Sequence, residues 1–399
     1  MHSLFEMTLR LRVHPRTALA VCIWGTGLLG ACGSSGQSAR TCSNTEVAIE
    51  TGCADTTQTA AVVRQIVEDT IQEFSLRSVI VSVSVGATPV LTQAFGESAS
   101  AEPTTTEMHW RAGAIAIAYL GTVLLQLQDQ GLLSVDDKLS TWLPQFPRAD
   151  QITLAMLANS SSGYGEYADL NVLPLHQDVN RQWTQDELIA AALAQPKVCD
   201  PGTCFAYSHA NFIILGRVLS IVSGKPVATL IRTGILDPLG LGDTKSEPTP
   251  AIQAPVLRAF TTERGSYEES TFWNPSWTLA EGAIMTTNVP DALRTAIAIG
   301  SGRLISPAAY AQMLESRAIP MPLTISPNGK FGLGVAILNS WVVQAPSFFG
   351  YSGAMAYLPA QQIAIAVTST KNPATPDGFT ATRLFERIAQ RLAPAHVPR

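Results

Sequence analysis

Few side chains in this sequence are of a type and spacing that does chemistry. Tyr207, Ser208 and His209 stand side by side, bringing a phenol, a hydroxyl and an imidazole into three positions. Ser160, Ser161 and Ser162 form a run in "ANSSSGY", and Tyr351-Ser352-Gly353 forms another small polar group. A serine hydroxyl attacks a carbonyl only when a base takes its proton, so the chemistry to look for is acyl transfer with a nearby base. Serine runs in loops more often bond their own backbone, and that reading stands beside the catalytic one for Ser160–Ser162. Tyr207 reads as a site phenol, or as a loop tyrosine capping the following helix. His209 reads as a titratable site group, or simply as the start of "ANFIILGRVLSIV". Trp273 and Trp277 in "STFWNPSW" either line a cleft with apolar surface or pack a long loop down.

The elements that must position these residues follow from periodicity. "AAVVRQIVEDTIQEF" carries apolar residues at helical spacing, and "SVIVSVSVG" and "TPVLTQAFGES" follow as partner strands. About 111–324 reads as helical segments with long polar loops. Strands return in "FGLGVAILNSWVV", "SGAMAYLP" and "QQIAIAVTST", and "FTATRLFERIAQRLA" closes as a helix. This order predicts an α/β (α+β) fold. An antiparallel sheet is built from both chain ends (about 58–110 and 325–395), flanked by helices, with a mostly helical region inserted. The helix near 113–125 is apolar almost all round and is therefore expected to be buried.

The chain has 399 residues, 46% hydrophobic and 14% charged, enough for a sizeable core. A net charge of −5 gives no basic footprint for nucleic acid. No phosphate loop or metal-ligand cluster stands out, so no cofactor and no metal is expected. Residues 1–31 read as a leader: Arg10, Arg12 and Arg16 precede an apolar run too short to span a bilayer comfortably. Leu29-Gly30-Ala31-Cys32 resembles a bacterial lipobox, which would make Cys32 the lipidated N-terminus. An ordinary secretory cleavage near Ala31 is the alternative. The expectation is an exported protein, lipid-anchored at the outer face of the cytoplasmic membrane. Residues 32–57 then form a tether with a cysteine loop, and 58–395 the folded domain. In an oxidising envelope, Cys42–Cys53 and Cys199–Cys204 are expected disulfides, each closing a short loop.

Five stretches, in order, carry a resemblance. They are "GLLSVDDKLSTWLPQF", "ITLAMLANSSSGY", "PGTCFAYSHANFIILGRVLSIVSGKP", "LAEGAIMTT" and "GYSGAMAYLP". Together they resemble the β-lactamase-related serine hydrolases, the family of class C β-lactamases, D-Ala-D-Ala carboxypeptidases and related esterases. The resemblance implies a β-lactamase/transpeptidase-like fold and hydrolysis of esters or amides. It also implies a Ser-x-x-Lys pair at a helix start, where the lysine helps take the serine proton. Counted back from Gly131, those positions hold Ala114 and Ile117. No Ser lies between Ser100 and Ser134, and none of the six lysines has a Ser three residues earlier.

The second motif, Tyr-x-Asn, stands here as Tyr207-Ser208-His209, and the resemblance implies a general base or acid role in acyl transfer for Tyr207. Tyr351-Ser352-Gly353 stands where the family has Lys-Thr-Gly or His-x-Gly, and so lacks its charge for a substrate carboxylate. Backbone N–H groups at 114 and near 353 are expected to form an oxyanion hole. Ser162, Trp273, Trp277, Tyr351, Ser352 and Gly353 are the expected ligand contacts, for a small-molecule, peptide or acyl ligand. Turnover is expected to be weak or absent. A non-catalytic ligand-binding pseudohydrolase and a structural envelope lipoprotein are the alternatives.

Overall fold

A computed structural model describes residues 42–168, 172–322 and 326–398. The expected leader, Cys32 and most of the tether lie outside the described residues. Helix α1 (Thr56–Phe74) starts at Asp55, whose carboxylate accepts the Gln58 N–H, and stops at Ser75 in the left-handed conformation. Strands β1 (Leu76–Val85) and β2 (Thr88–Ala99) form the hairpin read from the alternation. Helix α2 (Ile115–Asp129) and helix α3 (His209–Ser223) belong to the inserted region, and helix α4 (Val289–Gly300) ends it. The chain then returns through β3 (Trp341–Gln344), β4 (Ser347–Phe348), β5 (Tyr351–Leu358) and β6 (Ile363–Lys371), before helix α5 (Thr380–Leu392).

The order β3-β5-β6-β1-β2 runs through a ten-stranded sheet, and the β5/β6 and β6/β1 pairings are antiparallel. The first and last parts of the chain thus share one sheet, as the pattern predicts. Short strands Ala336–Leu338, Lys330–Phe331 and Ile319–Pro320 extend it beyond β3, and the short Glu102–Pro103 lies beyond β2.

Each sheet face has its own core. On one face Val79, Val81 and Val83 of β1 meet Val63 and Val67 of α1, with Leu384, Phe385 and Ile388 of α5. The apolar residues of α5 recur every three or four positions, so one stripe of the helix is buried. Phe385 stands edge-on to Trp341 at 5.2 Å. Truncating Phe385 to Ala would cost about 3–5 kcal/mol. The opposite face of β1 carries Ser78, Ile80, Ser82 and Ser84. Two of these hydroxyls are satisfied within the sheet, Ser78 by Thr370 (2.6 Å) and Ser82 by Thr92 (2.7 Å). Ile80 joins the larger core around α2, whose apolar surface is buried on every side.

One boundary differs from expectation. The Cys42–Cys53 loop is not part of a free tether. It is a hairpin, Glu46–Ile49 with Gly52–Asp55, and its Val47 and Ile49 are buried in the core. Glu50 at its turn accepts the Ala395 N–H (2.7 Å) and pairs with His396 Nδ1 (2.7 Å). Apolar side chains at 47 and 49 had a core to join, so the fold begins before residue 58. Within the mostly helical inserted region, Trp110–Arg111, Met285–Thr287 and Lys245–Ser246 form a small three-stranded sheet. The Cys199–Cys204 disulfide is present as expected.

Candidate active site

A cleft of about 830 Å³ opens between the sheet and the inserted region. Its floor is Gly113 and Ala114, at the start of α2. Its helical wall is Phe205, Tyr207, His209 and Trp277, and its sheet wall is Gln344, Ala345, Ser347 and Phe348. Gly113 has φ +51°, and a Cβ there would come 2.8 Å from Pro346. The left-handed turn and this close approach both require glycine.

Ala114 caps α2 without a side-chain hydrogen bond. Its own N–H has no backbone partner among the described residues. The methyl group offers no nucleophile. Ile117 lies one turn further and is 1% exposed, inside the apolar core rather than on the cleft wall. The two positions where the resemblance puts serine and lysine thus hold two aliphatic side chains, one at the cleft and one beneath it.

The second motif carries the polar part of the site. Ser208 is the cap of α3: its hydroxyl accepts the Ala210 N–H and donates to the Gly165 carbonyl at 2.7 Å. It is fully buried, which removes it as a nucleophile and relieves Tyr207 of any capping role. Tyr207 instead faces the cleft and is 38% exposed. The cleft walls packed around the phenol desolvate it, and Glu166 adds negative charge; both raise its pKa above the ordinary value, so it stays neutral at physiological pH.

His209 Nδ1 donates to the ionised Glu166 Oε2, 2.9 Å away. Glu166 also accepts the backbone N–H of His209 (3.1 Å) and that of Ala168 (2.7 Å). Burial acts to raise the pKa of Glu166, but His209 and these N–H groups outweigh it and hold the carboxyl below its ordinary value. Tyr207, Trp277 and Tyr167 surround the imidazole at ring-centre distances of 5.3, 5.7 and 5.8 Å. Sequence reasoning missed Glu166. The only signal was a lone carboxylate following "SSSGYG", forty-three residues before its partner.

Several expected contacts lie elsewhere. Ser162 is buried, donating to Asn211 Oδ1 at 2.5 Å and accepting the Tyr164 N–H. Ser160 and Ser161 are buried beside it, so the serine run is loop structure. Trp277 lines the cleft and stacks on Phe348 at 5.9 Å, whereas Trp273 lies behind, 6% exposed and edge-on to Phe349.

Tyr351, Ser352 and Gly353 are not at the cleft. Tyr351 donates to the Leu257 carbonyl (2.5 Å), and the Ser352 hydroxyl accepts the Ala381 N–H on the α5 side. Gly353 packs under Trp110, and its N–H is taken by the Pro346 carbonyl at 2.8 Å, so it cannot serve an oxyanion hole. The reason is topological. β5 has neighbours on both sides, while β4 pairs with β5 alone and leaves a local free edge. That edge, 345–348, is the wall the cleft uses. No cationic side chain stands on it, and Gln344 spends its amide on the Gly334 carbonyl.

Among the described residues no group of three or more His, Cys, Asp or Glu is placed to hold a metal ion. What the arrangement offers is an aromatic-walled cleft with one imidazole–carboxylate pair and one neutral phenol, with Asp377, Arg383 and Glu386 also on its lining.

Comparison with known proteins agrees with this architecture. The D-stereospecific amidohydrolase from a Streptomyces species superposes with a TM-score of 0.72, covering 84% of this chain and 98% of that one at 22% identity. A D-amino acid amidase from Ochrobactrum anthropi SV3 gives a TM-score of 0.74 over 85% and 98%, at 18% identity. At such identities the likeness is one of fold.

Among curated proteins, a putative penicillin-binding protein, PbpX, of Bacillus subtilis (strain 168) is 31% identical over 146 residues, 35% of each chain. Esterase EstB of Burkholderia gladioli is 25% identical over 164 residues, 38% of this chain and 42% of that one. The matches thus span less than half of these curated relatives. The family profile described as Beta-lactamase matches residues 63–389, nearly the whole described fold, and the chain belongs to that family.

Proposed function

We propose that this protein is a lipid-anchored cell-envelope member of the family whose cleft holds an ester or amide ligand and turns it over weakly or not at all. The observation that carries the reading is the pair Ala114 and Ile117. A methyl group sits at the cleft floor and a buried aliphatic chain one turn on, so no acyl-serine forms there. Losing a nucleophile–base pair costs on the order of 10⁶ in rate in a serine protease, with some catalysis left from binding and oxyanion contacts. The cleft itself is intact, and its aromatic wall supports binding of an acyl or peptide group. No cation stands on the 345–348 edge, and the cleft's Arg383 is paired with Glu386 at 3.2 Å, which supports a ligand without a carboxylate at that edge.

The test is the intact mass of the full chain, purified in detergent, after incubation with a fluorophosphonate and separately with benzylpenicillin. No adduct on folded protein is expected from either reagent. A stoichiometric adduct mapped to a serine would overturn the reading. Anchoring at Cys32 is tested by metabolic labelling with an alkynyl fatty acid, which Cys32→Ala should abolish. Label retained in that variant, or absent from the parent, would count against the lipid anchor.

A further inference from the structure

Position 209, where the resemblance places an asparagine, holds an imidazole instead, and a carboxylate is built against it. Glu166 is fixed by two backbone N–H groups, at 2.7 and 3.1 Å, and its Oε2 lies 2.9 Å from Nδ1 of His209. An ionised carboxylate only accepts, so Nδ1 must carry the proton, which leaves the lone pair on Nε2. His209 lines the same cleft as Ala114. Three aromatic rings hold the imidazole in place. Glu166 touches the histidine and not the cleft floor, so it acts as a positioning residue.

We infer that His209 is a general base for water, giving the cleft a serine-independent hydrolysis of neutral aryl or alkyl esters. The inference rests on the reading that this cleft holds an ester or amide. In the step, Nε2 takes a proton from water as the water oxygen bonds to the carbonyl carbon. The carbonyl π pair moves to oxygen, which the N–H of Ala114 and the start of α2 stabilise. Collapse breaks the ester C–O bond, and the departing alkoxide takes the proton back from His209. Ester and water thus become acid and alcohol, with no covalent intermediate and no other reactant. A neutral ester suits the aromatic wall, and the Glu166 carboxylate disfavours an anionic ligand.

Among the described residues the titratable groups against the imidazole are Glu166, Tyr167 and Tyr207. Both phenols are neutral at physiological pH, because burial raises each pKa first and Glu166 raises it further. Glu166→Gln removes the carboxylate that holds the Nδ1 proton and the ring orientation, so it should lower kcat and leave KM near the parent value.

The experiment follows p-nitrophenyl butyrate hydrolysis by the full chain in detergent, against buffer and against His209→Ala and Glu166→Gln. The expected result is slow, linear release of nitrophenol without a burst. His209→Ala should lower the rate on the order of 10²-fold, the scale of general-base catalysis. Added imidazole should restore part of it in that variant. If His209→Ala does not fold, the fall in kcat at unchanged KM in Glu166→Gln carries the test.

No hydrolysis above buffer by the parent protein overturns the inference. So does hydrolysis indifferent to His209→Ala, or a kcat unchanged in Glu166→Gln. A stoichiometric burst together with a fluorophosphonate adduct would instead defeat the reading of the cleft as lacking a serine nucleophile. The two failures are therefore distinguishable.

Discussion

Oε2 of Glu166 reaches both Nδ1 of His209, at 2.9 Å, and the backbone nitrogen of the same residue, at 3.1 Å. One carboxylate oxygen therefore fixes a cleft side chain and the first turn of α3 together. The Glu166 pKa is lower in the folded protein than its ordinary value of 4.5. Its contribution to stability is complete above the unfolded value and fades as pH falls through the folded one. Glu166→Gln is expected to cost about 1–3 kcal/mol at neutral pH, the range for hydrogen bonds to charged groups. It should also flatten the acid limb of the stability curve. Urea midpoints of parent and variant across the acid range would check this, and parallel curves would count against the assigned role.

Restoring the missing pair separates the nucleophile from the rest of the site. Ala114→Ser alone should fold normally, because position 114 is half-buried at an open cleft. Ile117→Lys puts an ammonium into the apolar core, at an effective cost of several kcal/mol. The double variant is expected to gain a fluorophosphonate adduct at position 114 but no penicilloyl adduct, since the 345–348 edge carries no cation. Mass mapping reads both results. A penicilloyl adduct would show that carboxylate recognition survives without that charge.

Helix α2 can hold Ala114 in place only while it lies against the loop at 333–334. A Cβ at Gly121 would come 2.1 Å from the Leu333 carbonyl oxygen. Backbone cannot yield as a flexible side chain can. Gly121→Ala is therefore expected to destabilise the fold by at least about 1–3 kcal/mol, the usual cost of overpacking. Thermal unfolding measures this, and an unchanged melting temperature would refute the packing described.

The Cys199–Cys204 disulfide closes a short loop that leads directly into Phe205 and Tyr207 on the cleft wall. By loop entropy alone, replacing both cysteines with Ser should cost about 2 kcal/mol. The hairpin disulfide Cys42–Cys53 closes a longer loop, and its loss should cost slightly more by the same argument. Alkylation without reduction should leave all four cysteines unlabelled. Denaturant midpoints of the two double variants then rank the bridges.

The sequence by itself determined the sheet and the helices that flank it. Alternation in β1, β2, β5 and β6 and the three-four spacing in α1 and α5 are local patterns, each reporting which side chains share a face. The all-round apolarity of α2 announced its burial in the same way. Ala114 and Ile117 were legible because a spacing of three along a helix survives whatever is packed around it. The phenol at 207 was also in reach of the motif.

Only the tertiary structure decided which polar residues meet. Glu166 and His209 are forty-three residues apart, and no periodicity links a loop carboxylate to the first turn of a helix. Tyr351, Ser352 and Gly353 looked like a site strand, because a short polar group at a strand start reads the same whether it faces a cleft or a core. Pairing between β4 and β5 settled that: it buried 351–353 and turned 345–348 to the ligand side. Ser162 and Trp273 were likewise claimed by partners far along the chain, Asn211 and Phe349. Local sequence fixes which way a side chain alternates along its own strand or helix. What stands opposite it is set by how the sheet closes between the two chain ends, and that contact alone makes a residue core or site.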